Sequence, residues 1–143
     1  MWMLEARLSF QWKKQRLIKN FSFPRLIGHR GVKDLKPENT FESIAKAFDI
    51  GLECVEVDVK ISKDNTPILI HDDTLDRTTN GYGLVCDFTF EEISKLDAGY
   101  FFYKSKTNIK VPSLVKVLDF VKKNQKYINI ELKPNNGYEL LNV

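Results

Sequence analysis

The stretch CVEVDVKISKDNTPILIHD, residues 54–72, decides what kind of sheet this chain builds. Its first half alternates strictly, with Val55, Val57 and Val59 on one face and Glu56 and Asp58 on the other, the period of a half-buried strand. Asp64-Asn65 is a turn pair, and PILIHD beyond it reads as a short, buried strand. The link from Asp58 to Pro67 is too short for a crossover helix, so an antiparallel hairpin is the default. A return of about six extended residues, at roughly 3.3 Å each, also reaches far enough to re-enter in parallel. Pattern alone leaves both open.

Upstream, LIGHRGVKDLKPENTFES (residues 26–43) opens with a strand at Leu26–Gly28 and runs into a helix. Asn39-x-x-Glu42 predicts a capping box at that helix start. Phe41, Ile44, Ala45 and Phe48 then form one apolar stripe, and Gly51 supplies a left-handed cap at its end. Downstream, TLDRTTNGYG is a loop in which Gly81 and Gly83 serve turns, and Thr89-x-x-Glu92 caps a short helix reaching Leu96. Pro112 precedes a longer helix with Leu114, Val117, Leu118 and Val121 on one face. YINIELK is a strand stopped by Pro134, and YELLNV begins another helix. This order predicts an α/β protein with mostly parallel strands.

Polar groups recur at the strand ends. His29 and Arg30 follow the first strand, Glu56 and Asp58 sit on the second, His71 and Asp72 end the third, and Glu131 and Lys133 end the fourth. Strands running the same way bring such groups to one place, because sites in parallel α/β folds form at the carboxyl ends of strands. That convergence favours the parallel choice at residues 62–66. Each residue also has a plain reading, Glu56, Asp58 and Glu131 as solvent faces of amphipathic strands and each histidine as structural. Together they make chemical sense. Three close carboxylates repel one another and raise one another's pKa, a cost that Mg²⁺ or Ca²⁺ removes. His29 and His71, the only histidines, exchange protons near neutrality. Arg30 binds a phosphate as a fork and Lys133 as a point charge. The set describes phosphoryl transfer.

The bulk properties narrow the field. A length of 143 residues suits one domain with a moderate core. Of the 22 basic residues, Arg7, Lys13, Lys14, Arg16, Lys19 and Arg25 crowd the start, opposed there by Glu5 alone. The rest is near neutral, so no basic face for nucleic acid is expected. Cys54 and Cys86 make no disulfide framework. No apolar run is long enough to span a membrane, and the start lacks the apolar core of a secretory signal, which points to the cytoplasm. Residues 1–24 read as a poorly ordered basic and aromatic leader, with a membrane-surface helix built on Trp2, Phe10, Trp12 and Phe21 as the alternative.

The motifs GHRG, PENT, VEVDVKISKDNTPILIHDDTLDRTTNGYG, TFEEISKLDAG, VPSL and IELK, in this order from about Arg25 to Pro134, resemble the glycerophosphodiester phosphodiesterase family. The resemblance implies a TIM-type (β/α)₈ barrel of which residues 25–143 supply the first four strands, with an insertion at about 74–110. It implies divalent-cation-dependent hydrolysis of a small-molecule glycerophosphodiester to an alcohol and glycerol 3-phosphate, the substrate's own glycerol hydroxyl attacking first. His29 and His71 match the family's catalytic histidines, and Glu56, Asp58 and Glu131 its metal ligands. Arg30 and Lys133 match its phosphate contacts, and Glu38 and Asn39 its supporting turn. Val115 and Lys116 depart from the acidic residues common there. A barrel of this kind takes about 250 residues. The expectation is therefore an amino-terminal half with open edges that self-associate. The alternatives are an inactive remnant and a metal- or phosphate-binding module.

Overall fold

Alternation along residues 54–61 produces the central strand, and everything else is arranged about it. The structure is a computed structural model and describes residues 24–134. In chain order the elements are helix α1 (Phe41–Asp49), strands β1 (Cys54–Ile61) and β2 (Pro67–Leu69), and a 3₁₀ turn (Val85–Asp87). Short helices α2 (Phe90–Ile93) and α3 (Tyr100–Tyr103), helix α4 (Leu114–Lys123) and strand β3 (Tyr127–Leu132) follow. Residues 1–23 of the leader and the helix start at YELLNV lie outside the described residues.

The sheet has three strands in the order β2-β1-β3. β3 runs parallel to β1 in the register Cys54↔Tyr127 to Val59↔Leu132. β2 does not run parallel, as the convergence of polar residues had suggested; it is antiparallel, pairing Val59↔Leu69, Lys60↔Ile68 and Ile61↔Pro67. The short link explains this. Ser62 receives the Thr66 N–H on its hydroxyl and gives its own N–H to the Thr66 carbonyl, both at 3.1 Å, while Asn65 adopts φ 59°. That closes a tight loop, whereas a parallel return costs a dozen or more residues. The expected strand at Leu26–Gly28 contracts to one parallel bridge, Gly28↔Val55. The parallel set is thus Gly28, β1 and β3, not four strands.

Both valine-lined and isoleucine-lined surfaces are buried. Val55, Val57 and Val59 pack with Ile44 and Ala47 of α1, Leu69 of β2, and Val117 and Val121 of α4. Ile68 and Ile70 point the other way, into a second core with Leu75, Val85, Ile93, Ala98 and Val111. PILI is continuously apolar because β2 divides two cores, as strands covered on both faces do.

Helix ends differ in detail from the sequence pattern. The N-cap of α1 is Thr40, whose hydroxyl accepts the Ser43 N–H at 3.2 Å; Asn39 is not the cap. Asn39 tolerates its left-handed φ of 56°, and its amide is committed to β1. Within α1 the buried alanine is Ala47 rather than Ala45. Gly51 follows the helix at φ 93° as expected. The Thr89–Glu92 capping box forms, but α2 stops at Ile93 instead of Leu96. On α4 Leu118 is exposed, and Phe120 packs toward the core against Phe41 and Phe48.

Val57 lies fully buried at the centre of the first core. Val57→Ala is therefore expected to lower the unfolding free energy by about 2 kcal/mol in urea titrations. Val115→Ala, on the exposed face of α4, should change it by less than about 0.5 kcal/mol.

Candidate functional site

The polar face of β1 becomes a site because three chain segments reach it at the same level. The parallel register sets Asp58 opposite Glu131, and the Gly28↔Val55 bridge delivers His29 and Arg30 beside Glu56. The antiparallel hairpin achieves the same for His71. β2 turns back along β1, so that Ile70 donates its N–H to the Asp58 carbonyl at 3.1 Å and His71 follows next in the chain. Convergence here does not require every strand to run the same way.

The turn holding His29 and Arg30 folds tightly on itself. A Cβ at Gly28 would overlap the Gly31 carbonyl oxygen, and one at Gly31 would overlap Ser43. Ser43 Oγ donates to the Arg30 carbonyl at 3.0 Å and receives the Val32 N–H at 2.7 Å, locking the turn to α1. Arg30 itself sits at φ 51°, an unfavourable region for a side chain of its size.

Glu56, Asp58 and Glu131 present oxygens all within 4.8 Å of one another. Asp58, 1% exposed, accepts the Asn39 side-chain N–H at 2.9 Å, and its own N–H donates to Asn39 Oδ1 at 3.1 Å. Arg30 Nε lies 3.1 Å from Asp58 Oδ2 without hydrogen-bond alignment, and Lys133 Nζ lies 3.4 Å from Oδ1. Lys133 also pairs with Glu131, which raises the lysine pKa. Glu56 Oε2 takes the Arg30 backbone N–H at 3.0 Å and stands 3.9 Å from His29 Nε2. Its Oε1 is buried with no partner. Burial, reinforced by Asp58 and Glu131 and offset in part by the Arg30 N–H and His29, pushes the Glu56 carboxyl above the usual range.

That orphaned oxygen, in an all-oxygen cluster, fits a hard divalent cation. Charge agrees. Glu38, Glu56, Asp58, Asp72 and Glu131 oppose the fixed cations Arg30, Arg77 and Lys133, leaving an excess of two negative charges.

Arg77 is the residue that sequence reasoning missed. It donates from Nη1 and Nη2 to Glu38, both at 2.8 Å, and from Nε and Nη2 to Asp72 at 2.6 and 3.0 Å. Glu38 in turn receives Arg30 Nη1 at 2.8 Å. Burial raises the Glu38 carboxyl, but the hydrogen bonds from Arg77 and Arg30 outweigh it and hold the group below its ordinary range. Asp72, held mainly by Arg77, titrates at about 2. A carboxylate ionised at neutral pH has no proton to give, so the 2.7 Å contact with His71 Nδ1 places the imidazole proton on Nδ1. Nε2 then carries the ring's free lone pair. The only hint in the sequence was an arginine five residues beyond Asp72 in a loop. His71 and Asp72 share an open cleft of about 430 Å³ with Lys60, Asp73, Lys133 and Pro134.

The model of the Glycerophosphoryl diester phosphodiesterase family matches residues 29–142. A glycerophosphodiester phosphodiesterase of Caldanaerobacter subterraneus is 43% identical over 108 residues, covering 76% of this chain and 44% of that protein. One from Bacillus subtilis is 40% identical over 120 residues, covering 78% and 41%. A phosphodiesterase of Oleispira antarctica, solved with its product sn-glycerol-3-phosphate, superposes with a TM-score of 0.74 at 37% identity, over 78% of this chain and 45% of that one. The enzyme of Agrobacterium tumefaciens gives a TM-score of 0.73 at 38% identity over 78% and 48%. These solved neighbours are TIM-barrel folds. The chain spans less than half the length of the relatives it matches.

Asp72 stays ionised in the folded protein to about pH 2, below its unfolded value near 3.8. Its contribution to stability is therefore present above about pH 4 and is lost as pH falls through 2. Carboxyl titration by NMR should show this low value in the native protein. In Arg77→Gln the Asp72 pKa should move back up toward the ordinary range, while the Asp64 carboxyl, remote from Arg77 in its own loop, keeps its value.

Proposed function

The chain belongs to the glycerophosphoryl diester phosphodiesterase family, and from that membership we propose that it carries the cation- and phosphate-binding machinery of a glycerophosphodiester hydrolase. The products are an alcohol and glycerol 3-phosphate, and the fold completes as a TIM-type barrel built on β1, β3 and the Gly28 segment. The observation that carries the reading is the cluster of Glu56, Asp58 and Glu131, with one buried oxygen unpartnered, flanked by Arg30 and by His71 with its aspartate.

Glu56, Asp58 and Glu131 would hold Mg²⁺ or Ca²⁺, which supplies Lewis-acid polarisation of the phosphoryl oxygens when bound. The chain's own residues do the rest. Lys133 and the N–H groups of Arg30 not taken by Glu38 bind the phosphate oxygens, Arg30 rigidly because its guanidinium is already fixed. His71, with Nδ1–H committed to Asp72, uses Nε2 for proton transfer at one reacting oxygen. His29, beside Glu56 and half exposed, serves the opposite transfer as the bond from phosphorus to the leaving alcohol breaks. Glu38 and Asn39 support the site, Glu38 by joining Arg30 to Arg77 and Asn39 by holding Asp58. Residues 74–110 form the substrate-side wall. No helix among the described residues is long and apolar enough to cross a membrane.

Hydrolysis of glycerophosphocholine by the full chain tests this directly. Turnover should vanish with a chelator and return with Mg²⁺ or Ca²⁺. His29→Ala and His71→Ala should each lower kcat by about a hundredfold or more. Chelator-insensitive turnover, or turnover unchanged in both variants, would overturn the reading. Tight divalent-ion binding without any turnover would instead mark a binding module.

A further inference from the structure

Helix α3 is a single turn, Tyr100-Phe101-Phe102-Tyr103, and none of its residues is buried. All four side chains are between 40% and 45% exposed. A turn of four aromatic residues ordinarily sinks at least one ring into a core. Here the second core closes on Ala98, Val111 and Ile93 without them. The rings rest edge-on against each other instead, Tyr100 on Phe101 at 5.2 Å and Phe102 on Tyr103 at 4.9 Å. The result is a contiguous apolar patch of the kind that marks a contact surface.

Lysines surround the patch. Lys33 lines one cavity with Phe101 and Phe102, and Lys36 donates to the Tyr103 hydroxyl at 3.2 Å and lies 5.7 Å from its ring centroid. Exposed Lys104 ends the helix at φ 52°, and exposed Lys106 follows. Few acids answer them. Asp97 is turned inward onto Gly99 and Thr107, Glu38 is held by two arginines, and Asp34 is the exposed acid of the adjoining turn.

We propose that Tyr100–Lys106, with Lys33 and Lys36, is a contact for the surface of an anionic lipid bilayer. Aromatic rings settle at the headgroup level, where their apolar bodies leave water and tyrosine hydroxyls stay wet. Lysines at the rim gain from the negative surface potential. A protein partner fits less well, because lysine is depleted at protein–protein interfaces. One turn of helix lies on a bilayer and does not enter it. Phe101 and Phe102 share their cavity with Glu38 and Arg77, so the contact sets the candidate site's rim against the lipid. That last point rests on the proposed function; the contact itself does not.

The test is flotation of the full chain with phosphatidylcholine vesicles, with and without one third phosphatidylglycerol. Wild type should float with the anionic vesicles, less so at high salt. Phe101→Ser with Phe102→Ser should weaken the partition about tenfold. Lys104→Glu with Lys106→Glu, which alters only exposed charged side chains, should do so to a similar degree. The leader is common to all three proteins, so a loss in the variants belongs to the patch. The proposal is overturned if wild type stays in solution or if the lysine variant floats like wild type. It is also overturned if the phenylalanine pair shifts the elution volume without vesicles, which would assign the patch to a second copy. Hydrolysis of a soluble diester needs no bilayer, so failure here leaves the phosphodiesterase reading standing.

Discussion

A carboxylate buried in the middle of a sheet is the constraint on which this structure turns. Asp58 is 1% exposed, and an unpaired ion there would cost several kcal/mol. Its compensation comes from three places at once: the Asn39 amide at the mouth of α1, Arg30 from the turn after Gly28, and Lys133 beyond β3. Satisfying one charge therefore ties a helix start, a loop and the end of a neighbouring strand to β1. Asn39 does this in a left-handed conformation, and Arg30 holds another. The strain at Arg30 persists because the surrounding hydrogen bonds over-determine it.

The antiparallel direction of β2 departs from the sequence-based expectation for a physical reason. β1 and the burial of its valine face are legible from period-two alternation, β2 from its short apolar run, and the turn from the Asp64-Asn65 pair, whereas the strand expected at Leu26–Gly28 is a single bridge. Direction was inferred from chemistry instead, on the premise that polar groups converge only at the tips of parallel strands. β1 is long enough to break that premise. Its first half pairs with Gly28 and its second half with β2, while β3 lies along the other edge. A hairpin from the far end of β1 thus brings His71 back to the level of Asp58. The cap of α1 differs for a simpler cause: Asn39 and Thr40 are both good caps, and only the tertiary demand of Asp58 decides which is free.

Residues contributed by regular strands were legible because their spacing carries information. Glu56, Asp58 and Glu131 fall on one face by alternation, and Arg30 by adjacency to a strand end. Arg77 comes from a loop and reaches Glu38 across 39 positions. No periodicity encodes such a contact. Its partners were visible as isolated charges, but pairing among loop residues is decided by the folded backbone.

Arg77 also explains how a site on a small sheet keeps its histidine in place. A surface ion pair alone is worth little, since two long side chains lose freedom and water screens the charges. Here the guanidinium is shared by two carboxylates, and Glu38 is shared by two guanidiniums, so each group is immobilised by partners that are themselves fixed. The chain runs from Asp58 through Arg30, Glu38, Arg77 and Asp72 to His71. A charge buried within the sheet and the His71 imidazole are thereby parts of one network. Rigidity at the histidine is borrowed from the core, which is why the site sits where the valine-lined and isoleucine-lined cores meet rather than on a free loop.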